Sequence, residues 1–148
     1  MKERLLYAAS IVPEKGGEFV VTFPDIPEAL TDGRTLDEAL TNAEDCLAEA
    51  IAGRIDDGEY IPTPSEINEN EYAIICPPQL ALKAAVYELL QERHISKVKL
   101  AELLGVNEKE ARRISDPHHN TRLQTLTSTL RALGKQVTVS IQDIPKTA

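Results

Sequence analysis

The sequence has no long hydrophobic run: nothing approaches the roughly 20 consecutive apolar residues that span a bilayer, so neither a helical anchor nor a membrane partner is expected. The opening MKERLLYAASIV combines a short apolar stretch with too many charges for a signal peptide. Cysteine is scarce. Cys46 and Cys76 cannot form a disulfide framework, and each sits in an apolar pattern, which reads as two reduced core thiols of a cytoplasmic protein. Tetrahedral zinc needs more ligands at closer spacing. No histidine precedes His94, so the first 93 residues offer no Ser-His-Asp or Cys-His pair. A glycine-rich phosphate loop is missing as well. Together these gaps leave no basis for an enzyme, a cofactor or a bound metal.

What is present is ordinary hydrophobic content, 42%, in 148 residues. That is enough for a globular chain and too much for a disordered one. The length suits one average domain or two small ones, and two small ones would lean on a dimer or a partner. Charge favours two. Residues 1–79 hold 5 Lys/Arg against 17 Asp/Glu, a net of −12, whereas residues 80–148 hold 11 against 7, a net of +4. Such asymmetry points to different partners for the two halves, although a solubilising acidic domain beside an ordinary one would show it too. Four of the nine prolines, Pro62, Pro64, Pro77 and Pro78, fall around the division.

In the acidic half, LLYAASIV (5–12) and EFVVTF (18–23) read as two strands of a hairpin around Pro13–Gly17, with Phe19, Val21 and Phe23 on one face. Pro24 closes the second strand. PDIPEALTDGRT follows as a loop whose Asp32-Gly33 marks a tight turn. Thr35-Leu36-Asp37-Glu38 matches a capping box. The apolar period Leu36, Ala39, Leu40, Ala43, Leu47, Ala50, Ile51 then predicts a helix ending between Gly53 and Gly58. EYAIIC (71–76) reads as a strand returning to the hairpin. Asp25, Glu28, Asp32 and Asp37 could suggest a metal site, but acidic residues are also favoured at turns and helix starts.

In the basic half, LALKAAVYELLQER (80–93) predicts an amphipathic helix through Leu82, Ala85, Val86, Leu89 and Leu90. Ser96 can cap a helix to Leu104, Gly105 permits a left-handed turn, and Asn107 can cap a second helix to about Ser115. The four-residue step from Ala101 to Gly105, with Leu100, Leu104, Val106, Ala111 and Ile114 apolar, has the register of a helix-turn-helix. Asn107, Glu108, Lys109, Arg112 and Arg113 then lie on the outer face, where a recognition helix meets the major groove. Lys97, Lys99 and Arg122 suit phosphate contacts. A helical hairpin with merely solvated cations would have the same helices. The adjacent His118 and His119 read as loop residues near phosphate, Thr121 as the cap of a fourth helix over 122–134, and KQVTVSIQ (135–142) as a short strand that pairs with its copy in a dimer.

The stretch FVVTFPDIPEALTDGRTLDEALTNAEDCLAEAI (19–51) resembles the N-terminal motif of HicB-type antitoxins: a strand, F-P-D-[IL]-P, a T-x-G loop, then T-L-x-E-A-L-x-N-A. LAELLGVNEKEARRISDPHHNTRLQTLTSTLRALGKQV (100–137) is similar to the helix-turn-helix that follows in one branch. Many relatives carry Gly-Cys where this chain has Glu28-Ala29. The resemblance implies an α+β module over 1–79 (β-β-α-β, a degenerate RNase-H-like fold without catalytic residues) and an all-α helix-turn-helix domain over 80–148 with the short C-terminal strand. It implies two partners as well: a HicA-type toxin, an RNA-cleaving protein of double-stranded-RNA-binding fold with a catalytic histidine, and double-stranded promoter DNA. An RNA-cutting protein needs a cationic surface, so the acidic module should bind it fast and compete with RNA. Phe23, Asp25, Glu28 and Asp32 are the expected toxin contacts, and the proline-rich segment is the expected connector. Two other readings share the sequence: a transcription regulator whose N-terminal module senses a small molecule, and an RNase-H-like nuclease.

Overall fold

A computed structural model describes residues 6–144. Leu5, the first residue of the expected first strand, lies outside them. β1 (Leu6–Pro13) and β2 (Phe19–Thr22) form the expected hairpin, with Ile11 opposite Val21 and Pro13 opposite Phe19. The chain then departs from expectation. Leu30–Gly33 is not a loop with a turn but a third strand, β3, antiparallel to β2 with Phe19 opposite Gly33. Its four residues are too few for a two-residue period to show, and Asp-Gly reads as a turn out of context. Gly33 is required for a different reason: a Cβ there would lie 2.4 Å from the backbone nitrogen of Ala39 and 2.7 Å from its Cα. The helix crosses the sheet at contact distance, and only glycine leaves room for it.

That helix is α1 (Leu36–Asp56), begun as predicted by Thr35, whose hydroxyl accepts from the Glu38 amide at 3.1 Å. Ala39, Ala43, Leu47, Ile51 and Ile55 recur every four residues and are buried. This stripe covers the sheet face bearing Tyr7, Ala9, Val21, Phe23, Ile74 and Cys76. Each large aliphatic side chain sealed there contributes about 1.5–3 kcal/mol. β4 (Tyr72–Ile75) pairs antiparallel with the first half of β1, giving the order β3-β2-β1-β4. The front unit is therefore a four-stranded antiparallel sheet under one helix, β-β-β-α-β rather than β-β-α-β. Cys76 is in this core, Cys46 is half-buried against it, and both are free thiols.

The proline-rich segment is not a loose connector. Ile61 is buried, Tyr7 Oη donates to the Pro62 carbonyl at 2.8 Å, and the Ser65 amide donates to Asp25 at 2.8 Å. Proline supplies no donors of its own, so the strap is held by its carbonyls and by its neighbours. Pro77 and Pro78 instead start α2 (Pro78–Glu92), where proline's fixed φ suits a first helical turn. The 79/80 division falls inside this helix. Leu80 and Ala84 complete the front core, while Ala85, Val86, Leu89 and Leu90 belong to a second core with Leu100, Ala101, Ala111, Leu130 and Leu133.

α3 (Lys97–Leu104), α4 (Glu108–Ser115) and α5 (Leu123–Ala132) complete the structure. Two expectations fail after α4. Thr121 does not cap α5. Its backbone is clasped by Gln79, which accepts from its amide at 2.9 Å and donates to its carbonyl at 3.1 Å, and Arg122 takes the cap position without a side-chain bond. Residues 135–144 form no strand within the chain, and Val139 and Ile141 are almost fully exposed. A strand needs a neighbour to pair with.

Candidate functional surfaces

The pair α3 and α4 is built as its sequence predicts. Ser96 Oγ accepts from the Lys99 amide at 3.1 Å and starts α3. Gly105, at φ 66°, ends it, and Asn107 Oδ1 accepts from the Glu110 amide at 2.8 Å to start α4. Leu100, Ala101, Ala111 and Ile114 are buried between and beneath the two helices.

Glu108, Lys109, Arg112 and Arg113 stand exposed along α4, with Asn107 at its start. Lys97, Lys99 and Arg122 are exposed as well. None of these cations is locked in place. Arg112 lies 3.5 Å from Glu108, Arg113 lies 3.9 Å from Glu110, and Lys99 lies 3.3 Å from Glu102, all as exposed pairs within one helix. Such pairs contribute at most about 1 kcal/mol and exchange readily for another anion. Asn107 differs, because its oxygen is committed to the cap and only its amide nitrogen remains free for outside contacts.

The far end of α4 is set by a residue that sequence reasoning missed. Lys83 of α2 is buried, and its Nζ donates to the carbonyls of Arg113 at 2.9 Å and Asp116 at 2.6 Å. These carbonyls lie at a helix end, where a cation is favoured, and each also accepts one backbone amide, from Asp116 and His119 respectively. Burial pulls the Lys83 pKa down, opposed by the nearby Asp116 carboxylate. A signal for it existed: Lys83 lies three residues after Leu80 and three before Val86, on the apolar stripe. Arg93, the residue that ends α2, caps α5 in the same way, donating to the Leu133 carbonyl at 2.7 Å.

On the front unit the four expected contact residues fare differently. Phe23 is buried in the core, so its ring offers a partner no surface. The Asp25 carboxylate accepts from both the amide and the hydroxyl of Ser65, which fastens the Pro24–Pro27 turn to the strap. Glu28 makes a bidentate pair with Arg54, at 2.6 and 2.8 Å, and Arg54 also donates to the Tyr60 carbonyl at 2.7 Å. This pairing holds the Glu28 carboxyl below its ordinary range. It also gives the Glu28-Ala29 departure a role: Glu28 ties loop, helix and strap together while Ala29 is buried beside them. Asp32 stands on β3 with an exposed carboxylate, and its backbone carbonyl receives Asn42 Nδ2 at 2.8 Å.

Between the end of α1 and the helical half lies a cleft of about 840 Å³, lined by Asp56, Tyr87, His94, Lys97, Arg112 and His118 among others. His118 Nε2 is 2.7 Å from Asp56 Oδ2, and this hydrogen bond is the main cause of a raised His118 pKa. His118 thus faces α1 across the cleft. Among the described residues, no group of three or more His, Cys, Asp or Glu is placed to hold a metal ion. Burial pushes the Cys76 thiol up to about 12 and raises that of Cys46, so neither is primed as a nucleophile. No described helix is long and apolar enough to cross a membrane.

An acidic sheet-and-helix unit joined through α2 to a small helical unit with exposed arginines fits a protein that acts by binding, in the class of bacterial antitoxins. Residues 6–85 match the model of the HicB-like antitoxin of bacterial toxin–antitoxin systems, and the chain belongs to that family, with a toxin as its partner. It is 34% identical to Antitoxin HicB 1 of Photorhabdus laumondii over 140 residues, 95% of this chain and 89% of the relative. It is 33% identical to Antitoxin HicB of Escherichia coli K12 over 133 residues, 90% of this chain and 96% of the relative. Antitoxin HicB 2 of Photorhabdus laumondii is 36% identical over 137 residues, 93% of this chain and 96% of that protein.

Proposed function

We propose that the front unit neutralises a HicA-type, mRNA-cleaving toxin while the helical unit represses the protein's own operon by binding promoter DNA. The observation that carries this reading is the exposed row of Arg112 and Arg113 on a helix capped at both ends, in a chain whose other half has a net charge of −12. In this reading α3 and α4 form a helix-turn-helix, α4 enters the major groove, and the weakly held arginines leave Glu108 and Glu110 for bases or phosphates. The front unit is a reduced RNase-H-like fold that masks the toxin's RNA surface by charge. The division at 79/80 separates the two tasks without separating two bodies, because α2 belongs to both cores.

The alternation Val137, Val139, Ile141, with Val139 and Ile141 exposed while Val137 packs on the second core, supports a homodimer or higher oligomer in which the tails pair as strands. Two copies would set two recognition helices on a palindromic site about 34–36 Å apart. The protein works in the cytoplasm, where its operon and the toxin's RNA are found.

The test is to co-express the full chain with the HicA-type toxin and titrate the purified complex on DNA from upstream of the operon. RNA cleavage suppressed in a one-to-one complex, with a sequence-specific shift of the upstream DNA, supports both parts. A complex that still cleaves RNA removes the first part, and a shift no stronger than on scrambled DNA removes the second. The 840 Å³ cleft favours one competing reading, a regulator that senses a small molecule there. Promoter affinity that depends on a dialysable cell metabolite would favour that reading.

A further inference from the structure

An antiparallel sheet covered on one face normally turns polar residues outward on the other. This sheet does not. By register, Leu6 stands opposite Ile75, Ala8 opposite Ala73, and Val12 opposite Val20 on the face away from α1, and the next row runs Ser10, Thr22, Leu30. Among the described strand residues, Asp32, opposite Val20, is its one charge. Val12 is 50% exposed, Leu30 64% and Ile75 42%, while Ala8 in the middle of β1 is buried, so the exposed apolar surface is concentrated at Val12 and Leu30 on the hairpin side and at Ile75 on the far edge. An apolar face of this kind marks an interaction surface. Its rim is acidic at the hairpin end, where Glu14 and Glu18 are exposed beside Val12 and Val20.

We propose that this open sheet face is the apolar centre of the toxin interface and that its occupant is a cationic protein. The inference rests on the antitoxin reading and places its contacts. Charge selects the occupant. A second copy docking face to face would bring another front half of net −12 against this one, whereas a basic partner meets opposite charge at the rim. Position agrees. Leu30 directly follows the loop of residues 24–29, so the face continues the surface on which the sequence places the contacts. It also leaves Asp25 and Glu28 free to do what they are seen to do, which is to hold that loop in shape.

The experiment measures the Kd of the full chain for purified HicA-type toxin, then repeats it with the double variant Val12→Thr/Leu30→Thr, which keeps good strand formers at both positions. The expected result is a Kd raised roughly tenfold or more, with melting temperature changed by no more than about 2 °C and promoter affinity unchanged. Should the double variant melt early, Leu30→Arg alone, on the edge strand, gives the same reading by placing a cation before a cationic partner. Toxin affinity held within about twofold in a folded variant overturns the sheet-face assignment and leaves the antitoxin reading intact. A variant that keeps toxin affinity and instead loses its dimer identifies a second copy as the occupant and overturns the proposal. A wild-type chain that fails to bind the toxin overturns both.

Discussion

The ammonium of Lys83 lies 2.6 Å from the carbonyl oxygen of Asp116, and no other charged side chain is buried among the described residues. Through this contact, and the 2.9 Å bond to the Arg113 carbonyl, α2 fixes where α4 ends and therefore how Arg112 and Arg113 are presented. Lys83→Met keeps the volume but removes two charge-assisted hydrogen bonds, leaving the Arg113 and Asp116 carbonyls with only their backbone partners, the amides of Asp116 and His119, a loss of about 1–3 kcal/mol. We expect lower thermal stability and weaker promoter binding together, with toxin affinity unchanged. If Lys83→Met binds DNA as the wild type does, the helix end is not what orients the arginines.

Gly33 and Gly105 separate two reasons for glycine. Gly33 has ordinary φ but no space, with the backbone of Ala39 at 2.4 Å from any added Cβ, whereas Gly105 has open space but φ 66°. Gly33→Ala must push α1 off the sheet, a strain of about 1–3 kcal/mol or more. Gly105→Ala meets only the left-handed penalty of about 1–2 kcal/mol, and Gly105→Asn less. Chemical denaturation of the three variants should rank them in that order. Equal stability for Gly33→Ala and wild type would remove the close approach as the reason for this glycine.

How far the structure could be read from sequence depends on what each element needed. α1, α3 and α4 were legible because their caps, Thr35, Ser96 and Asn107, and their apolar stripes are local information. β3 was not, since four residues show no period and its pairing with β2 is a tertiary fact. Lys83 was hidden because a lysine within an apolar stripe reads as an interruption until the carbonyls it reaches are known. The exposed basic residues of α4 were placed correctly on its outer face. On the front unit, the chemistry of Asp25 and Glu28 was visible, but their intramolecular partners Ser65 and Arg54 lie 40 and 26 residues away in sequence. The tail over 135–142 has a strand's alternation without a strand's neighbour.

The DNA surface proposed above would divide into residues that read and residues that hold. Arg112→Ala and Arg113→Ala should each cost about 1–3 kcal/mol of operator affinity and relax specificity at one position. Their present partners Glu108 and Glu110 are exposed and weakly bound, so releasing the arginines costs little. Lys97→Ala, Lys99→Ala and Arg122→Ala should weaken binding to all sequences alike and lower the slope of log affinity against log salt by about one each. Fluorescence anisotropy over a salt series measures both effects. An Arg112→Ala/Arg113→Ala variant with undiminished promoter affinity would move the DNA site off α4.

The Asp56–His118 pair joins the end of α1 to the loop after α4, and so links the two units by a group that titrates near neutrality. The Asp56 carboxylate raises the His118 pKa above its ordinary 6.5, with Asp116 and Glu49 adding to the field. A histidine whose pKa rises on folding stabilises the structure fully below its unfolded value, and that contribution is lost as pH increases through the folded value. Both groups are about half exposed, so the effect should be small and sensitive to salt. His118→Gln should therefore melt below wild type at about pH 5.5 and converge with it at about pH 8.5. The Glu59 carbonyl, which accepts from Tyr87 Oη at 2.7 Å, ties the strap to α2 on the front-core side by a bond that does not depend on His118. A difference between the proteins that stays constant across the range would mean that His118 acts by packing and not through its charge.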